Sequence, residues 1–297
     1  MAPDVARSGC PLCGAGDVRA VCRVTRWRDP FEIGRCASCG LLHVAPPPSR
    51  AQLDAFYDAD YFGGAADWHY ADEREHEAQV RVRAAGRLAR VERLLAASGI
   101  ATRRVVELGS AFGVFLDEAR RRGWEPRGCE ISDHAADHAE HVLGLAIRRA
   151  DLADAGLADA SADLVTGSEV VEHLAEPART FAAAFRVLAP GGVVLFSTAN
   201  EASFARLVRG ARWGYYMPGH VVLWSARTLS HALRAAGFRD VRVTAGDERG
   251  LANFLAFRRA AGGGSLAAWL LRRVRIGGFT LGAGMVVTAR KPRAGAA

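Results

Sequence analysis

The chain has no run of about 18 consecutive apolar residues, the length that a membrane-spanning helix needs. Its first residues, with Asp4 and an early Cys-rich segment, lack the basic-then-apolar order of a secretory signal. Together these absences predict a soluble, cytoplasmic protein with no membrane span. Lysine is nearly missing: Lys291 is the only one, so the net charge of +7 rests on arginine. Cysteine is nearly missing after residue 39, five of the six lying within the first 39 residues. Disorder-prone composition is missing as well, since 50% of residues are hydrophobic and 24% charged, enough to bury a sizeable core. At 297 residues the chain predicts one large core with an appendage.

The charge is uneven. Residues 51–200 carry 16 basic and 24 acidic side chains, whereas residues 201–297 carry 16 and 4. A basic tail suits a phosphorylated substrate, nucleic acid or an anionic surface, but arginine richness reflects base composition equally well, so charge alone assigns no function.

The early cysteines form two C-x-x-C-G units, Cys10-Pro-Leu-Cys13-Gly14 and Cys36-Ala-Ser-Cys39-Gly40. In an intracellular chain this spacing favours a metal over disulfides, because each short loop presents two thiolates to one tetrahedral ion. The intervening Val21–Val24 and Phe31–Ile33 suit a strand pair. Residues 1–45 therefore read as a zinc ribbon with Cys10, Cys13, Cys36 and Cys39 as ligands, structural because four thiolates leave no open position. Cys22 reads as a packed strand residue.

Ala45-Pro-Pro-Pro48 ends the ribbon, and residues 46–100 read as a linker and helical cap in which Val80, Ala84, Leu88, Val91 and Leu95 recur at helical steps. From Thr102 strand and helix alternate: Val105–Leu108, a helix around Phe115–Ala119, Glu125–Glu130, a helix around Ala135–Val142, Leu145–Arg149, Ala162–Thr166, a helix around Thr180–Leu188, and Gly192–Thr198. The pattern predicts an α/β doubly wound sheet over 101–297, with ligands at the carboxyl ends of its strands. A loop at 200–224, bearing Arg206, Arg209, Arg212, Trp213, Tyr215 and Tyr216, follows the fifth strand, where substrate contacts are expected. A second insertion at 250–283 holds the short apolar, Arg-bearing helix Leu266–Ile276.

The first strand ends in Glu107-Leu-Gly109-Ser-Ala111-Phe-Gly113, and the second in Glu130, a carboxylate placed to accept ribose hydroxyls. A dinucleotide fingerprint needs G-x-G-x-x-G, and this turn has Ala111 and Val114 at its second and third glycine positions. The run Val105–Leu116 instead resembles the first motif of class I S-adenosylmethionine-dependent methyltransferases, with Ala111 where that motif usually has Gly. Further stretches resemble the family's later motifs in order: Glu130 with Ile131, Ala150-Asp151-Leu152, Ala162–Glu169 and Arg186–Gly192. The resemblance implies a Rossmann-like seven-stranded sheet with its last two strands within 225–246 and 284–290. It implies S-adenosylmethionine as cofactor and Glu107, Gly109, Gly113, Glu130, Ile131, Asp151, Leu152 and Ser168 as its contacts.

Methyl transfer from a sulfonium asks mainly for alignment, and for removal of a proton where the acceptor is weak. In Ser168-Glu169-Val-Val-Glu172-His173 a helix would put Glu169, Glu172 and His173 on one face. His173 suits a general base, and the same trio suits a divalent ion. The E-x-x-E-H run resembles that of ubiquinone-biosynthesis O-methyltransferases and of small-RNA 2′-O-methyltransferases. That resemblance implies Glu169, Glu172, His173 and His220 as ligands of Mg or another divalent ion, with His173, His220 and Glu172 as catalytic candidates. Ribbon and core together resemble deoxysugar C-methyltransferases, whose further carboxy-terminal domain this chain is too short to contain. The expected function is O- or C-methylation of a small hydroxylated metabolite by a monomer or homodimer, nucleic acid not being an expected partner. The alternatives are an RNA methyltransferase and a non-catalytic scaffold.

Overall fold

The computed structural model describes residues 9–49, 52–53, 72–246, 275–276, 279–280 and 282–293. Most of the 250–283 insertion lies outside the described residues, as does the aromatic segment around Phe56–Phe62; of the helix expected over 266–276 only Arg275–Ile276 is described, and it forms a short strand instead.

Three strands, β1 (Val18–Val24), β2 (Phe31–Cys36) and β3 (Leu42–Ala45), form an antiparallel meander. A helical turn at Glu73–His76, capped by Asp72, leads into α1 (Glu77–Ala96). Its buried stripe is Ala84, Leu88, Val91 and Leu95, with Val80 only half-buried at its start.

Alternation then delivers β4 (Arg104–Leu108), α2 (Val114–Arg121), β5 (Glu125–Cys129), α3 (Asp133–His141), β6 (Ile147–Arg148), β7 (Ala162–Ser168), α4 (Pro177–Val187) and β8 (Leu188–Ala199). After them come α5 (Phe204–Arg209), β9 (Val222–Leu223), α6 (Ala226–Ala235) and β10 (Arg239–Gly246). Short strands β11 (Arg275–Ile276) and β12 (Phe279–Thr280) precede β13 (Gly284–Arg290).

The main sheet has seven strands in the order β10-β13-β8-β7-β4-β5-β6. The five from β8 to β6 run parallel, while β13 is antiparallel to both its neighbours. Strand alternation sorts the core into two layers. Val193 and Leu195 of β8 face the layer holding α1 and α2, and Val194 and Phe196 face the layer holding α4 and α6. The chain turns from β4 toward β5 and β6 on one side and later toward β7 and β8 on the other. The crevice at the carboxyl ends of β4 and β7 is therefore the topological switch point.

Residues 1–45 and the 200–224 loop, separate in the linear reading, share one sheet. β3 pairs with β9, Leu42 against Leu223 and His43 against Val222. Val24, Ile33 and Leu42 of the ribbon pack with Ala199, Trp213, Tyr216 and Leu223 into one small core. Trp213 and Tyr216 are thus used for packing between ribbon and loop, and Cys22 lies against the same core as a packed strand residue.

At the amino-terminal ends of the central strands β7 and β4, Asp163 is 1% exposed and accepts hydrogen bonds from the Arg104 backbone N–H (2.9 Å), Nε (3.1 Å) and Nη2 (2.9 Å). Burial alone would raise its pKa, but the Arg104 donors outweigh it and hold the carboxyl below its ordinary value. A carboxyl depressed in the folded state stabilises above its unfolded pKa of about 4 and loses that contribution as pH falls through the folded value. Asp163→Asn should cost on the order of 1–3 kcal/mol at pH 7 and flatten the acid limb of stability against pH, as measured by urea unfolding between pH 7 and pH 3.

Candidate active site

β4 ends at the switch point with Glu107, which points to the α1 side of the sheet and is 4% exposed. Its Oε2 is buried with no hydrogen-bond partner among the described residues. Burial pushes its pKa well up, Glu73 and Glu130 add to the rise, and Arg87 opposes it. Arg87 reaches over from α1 to donate to Ser197 Oγ at 2.8 Å. A buried carboxylate with two like-charged neighbours is a poor resting place for an anion and a good receptor for a cationic ligand end.

The turn after β4 is shaped by backbone conformation. Gly109 has φ +62°, and a Cβ there would lie 2.6 Å from Val170 Cγ2. Gly113, at φ +84°, opens α2, where a Cβ would lie 2.6 Å from Leu145 Cδ1. Ala111, the residue standing where glycine is usual, adopts φ +46°, a left-handed conformation that costs an L-residue about 1 kcal/mol. The backbone thus keeps the shape a glycine would allow, and the methyl group packs beside Phe112 and Ala135.

Glu130, at the end of β5, is 6% exposed. Its Oε1 accepts from the Ile131 and Ser132 N–H groups at 2.9 Å each, and its Oε2 from the Ala111 N–H at 2.8 Å. Burial raises its pKa while these three donors pull it back. It ties the glycine-rich turn to the end of β5 with one lone pair, on Oε2, to spare. Leu152 is buried beside this region and Asp151 half-buried, while Ile131 is exposed at 38%.

Ser168 closes β7, and Glu169 follows at φ +50° with its N–H donating to Ser197 O. The expected helix over 169–173 is a short 3-10 turn, Val171–His173, so Glu169 stands before it in a left-handed bend rather than on a shared face. Glu172, His173 and His220 do converge, with one potential ligand atom from each within 4.8 Å of the others. Glu169 is not part of that group; its backbone instead hydrogen-bonds the His173 ring. Glu172 is 1% exposed and accepts from Thr198 Oγ1 at 2.8 Å.

The two imidazoles meet edge to face with centroids 4.7 Å apart. His173 Nδ1 donates to Gly219 O (3.0 Å) and His220 Nδ1 to Tyr215 O (2.9 Å), because a carbonyl only accepts. Burial lowers His173 to about 4 and His220 well below its ordinary value, the latter further depressed by its neighbour. Both rings are neutral at physiological pH, the form in which imidazole ligates metals.

The four ribbon thiols also lie within 4.8 Å of one another. Cys10 and Cys39 are separated by 3.6 Å between sulfurs, as are Cys13 and Cys36, near the edge of about 3.8 Å expected for sulfurs at about 2.3 Å from a tetrahedral zinc ion. Burial pushes Cys10 up to about 11, whereas at Cys36 the Cys39 N–H and the Cys13 thiol overcome burial and bring it down to about 7.

Sequence reading found the carboxylates, glycines, histidines and thiols. It missed Arg87, Thr198, Glu201 and Arg26, whose partners lie 26 to 190 residues away and leave no local signature.

The fold and the cradle of carboxylates at its switch point define a class I S-adenosylmethionine-dependent methyltransferase domain. A family model described as a methyltransferase domain matches residues 67–243, and the chain belongs to that family. Among curated relatives, a probable S-adenosylmethionine-dependent methyltransferase of Mycolicibacterium smegmatis is 39% identical over 46% of this chain and 56% of its own length. A ubiquinone biosynthesis O-methyltransferase of Methylococcus capsulatus is 30% identical over 40% of this chain and 53% of its own. The chain therefore spans about half the length of the curated relatives it matches. A solved S-adenosylmethionine-dependent methyltransferase of Archaeoglobus fulgidus shares the fold, with a TM-score of 0.53, 19% identity, and coverage of 72% of this chain and 94% of that one.

Relief of the left-handed strain at Ala111 gives a direct test of the turn. Ala111→Gly should raise stability by about 0.5–1 kcal/mol in urea unfolding. A loss would mean that the methyl contact with Phe112 outweighs the strain.

Proposed function

We propose that this protein transfers the methyl group of S-adenosylmethionine to a hydroxyl oxygen of a small metabolite. The observation that carries the reading is the trio Glu172, His173 and His220 beside the end of β7, Glu172 and His220 buried and His173 half-buried, with both imidazole Nδ1 atoms committed to backbone carbonyls. A carboxylate beside two neutral imidazoles suits a divalent ion better than it suits a general base whose pKa lies near 4. The similarity to ubiquinone biosynthesis O-methyltransferases supports an oxygen acceptor over carbon.

The cofactor supplies an electrophilic methyl group on a sulfonium. Glu107 would receive its cationic methionine end, with Arg87 keeping the local charge from becoming wholly negative. Glu130 would accept the ribose hydroxyls while Ala111, Ile131 and Ser132 hold it in place. Gly109 and Gly113 keep the turn open, and Asp151, Leu152 and Ser168 line the remaining approach. Glu172, His173 and His220 would hold Mg or another divalent ion, whose role is to polarise the acceptor hydroxyl and lower its pKa. Glu169 acts through its backbone. The thiols of Cys10, Cys13, Cys36 and Cys39 would hold a structural zinc ion.

Calorimetric titration of S-adenosylmethionine into purified protein, with metal content measured on the same sample, tests the reading. Saturable micromolar binding with one zinc per chain is expected, and absence of binding heat would overturn the proposal in favour of a scaffold. Glu130→Ala should lower cofactor affinity by at least 100-fold (about 2.7 kcal/mol), and unchanged affinity would refute the cradle assigned here. His220→Ala should leave cofactor affinity unchanged while slowing methylation of a panel of small phenols by tenfold or more (about 1.4 kcal/mol). Equal rates for the variant and the native protein would remove His220 from the acceptor side.

A further inference from the structure

We infer that Arg26, in the turn between β1 and β2 of the ribbon, is a positioning residue for His220. Its guanidinium donates to the carbonyl oxygens of Ala211 (3.2 Å), Trp213 (2.9 Å), Gly214 (3.3 Å) and Tyr216. The neighbouring Trp27 indole N–H reaches the same Tyr216 oxygen at 2.8 Å.

Four carbonyl dipoles aimed at one point repel one another unless a cation sits between them, so the loop keeps this conformation only with Arg26 in place. A planar fork of five N–H groups can satisfy such a set; a lysine ammonium, with three donors on one atom, cannot. The gathered carbonyls flank Tyr215, whose own carbonyl accepts the His220 Nδ1–H and whose ring stacks on the His220 ring with centroids 5.9 Å apart. Arg26 thereby holds His220 in the Nδ1–H tautomer and turns its Nε2 lone pair toward His173 and Glu172.

A second latch works in the same direction. Glu201, 6% exposed, is paired with Arg35 of β2 at 3.2 Å and lies 3.7 Å from Arg206, whose Nε donates to Tyr216 Oη at 2.9 Å. The ribbon thus does for the acceptor loop what the loop's own short helix cannot: it supplies the donors and the strand edge that fix the loop's shape.

The catalytic consequence rests on the acceptor-side reading of His220, but the positioning itself is measured without any acceptor. Long-range ¹H–¹⁵N spectra of the histidine rings in the full-length, zinc-loaded protein, assigned with His220→Gln, should show His220 as a single Nδ1–H tautomer. In Arg26→Ala it should become a mixture, amide exchange over 211–220 should quicken at least tenfold, and zinc content and cofactor affinity should stay unchanged. Millimolar guanidinium should restore the native signal, whereas Arg26→Lys should not. A folded Arg26→Ala protein that keeps one tautomer and native exchange overturns the inference. Should that variant lose its zinc or fail to fold, Trp27→Phe decides, because it deletes a single donor to the same carbonyl. A smaller shift in the same direction upholds the inference, and an unchanged His220 signal overturns it. A tautomer shift in Arg26→Ala alongside full activity of His220→Ala would sink the acceptor-side reading and leave the positioning intact.

Discussion

Two carboxylates at the ends of adjacent parallel strands, Glu107 on β4 and Glu130 on β5, set the terms for everything around the crevice. Parallel strands need both faces covered, and both carboxylates are buried against those layers, 4% and 6% exposed. Glu130 is compensated within the chain by three backbone N–H groups. Glu107 is not: its near neighbours include two more carboxylates, and Arg87 is the opposing charge. An imbalance of this kind costs stability in the free protein and would be offset by a bound cation.

Two of the four non-glycine residues with positive φ among the described residues lie at the same place. Ala111 and Glu169, both L-residues in left-handed conformations, close the ends of β4 and β7, the two strands that bound the switch point. Each is held by bonds that lie outside its own turn, Ala111 by the Glu130 carboxylate and Glu169 by the Ser197 carbonyl. The neighbouring strands therefore over-determine both bends, and the chain passes close to the crevice without filling it.

The ribbon has a different dependence. Fewer than fifty residues bury little core of their own, and here Trp213, Tyr216 and Leu223 of a loop some 180 residues away complete it. In return the ribbon lends that loop a strand partner, a cation for its converging carbonyls and an ion pair for Glu201. Each piece completes the packing of the other, although neither local sequence refers to the other.

How much of this was legible beforehand follows from the range of each interaction. Strand and helix order, the glycine-rich turn, the carboxylate at the end of β5 and the paired thiols are local patterns with characteristic spacing, and they were readable because hydrophobic period and turn chemistry act over a few residues. The seven-stranded architecture came from the ordered resemblance of several such motifs, each weak alone. The exchange of roles in the 200–224 loop was not readable: Trp213 and Tyr216, plausible substrate contacts by composition, became core, and Arg206 became the hydrogen-bond partner of Tyr216. The geometry of residues 169–173 also escaped, because E-x-x-E-H is compatible with a helical face, and only the Ser197 carbonyl and the packing of β8 bend the chain so that Glu172 and His173 meet His220 while Glu169 does not. The sequence by itself determined which chemical groups the protein carries and the order of its elements. The tertiary structure alone decided which groups meet, since burial, charge balance and the tautomer of His220 depend on partners that proximity along the chain does not specify.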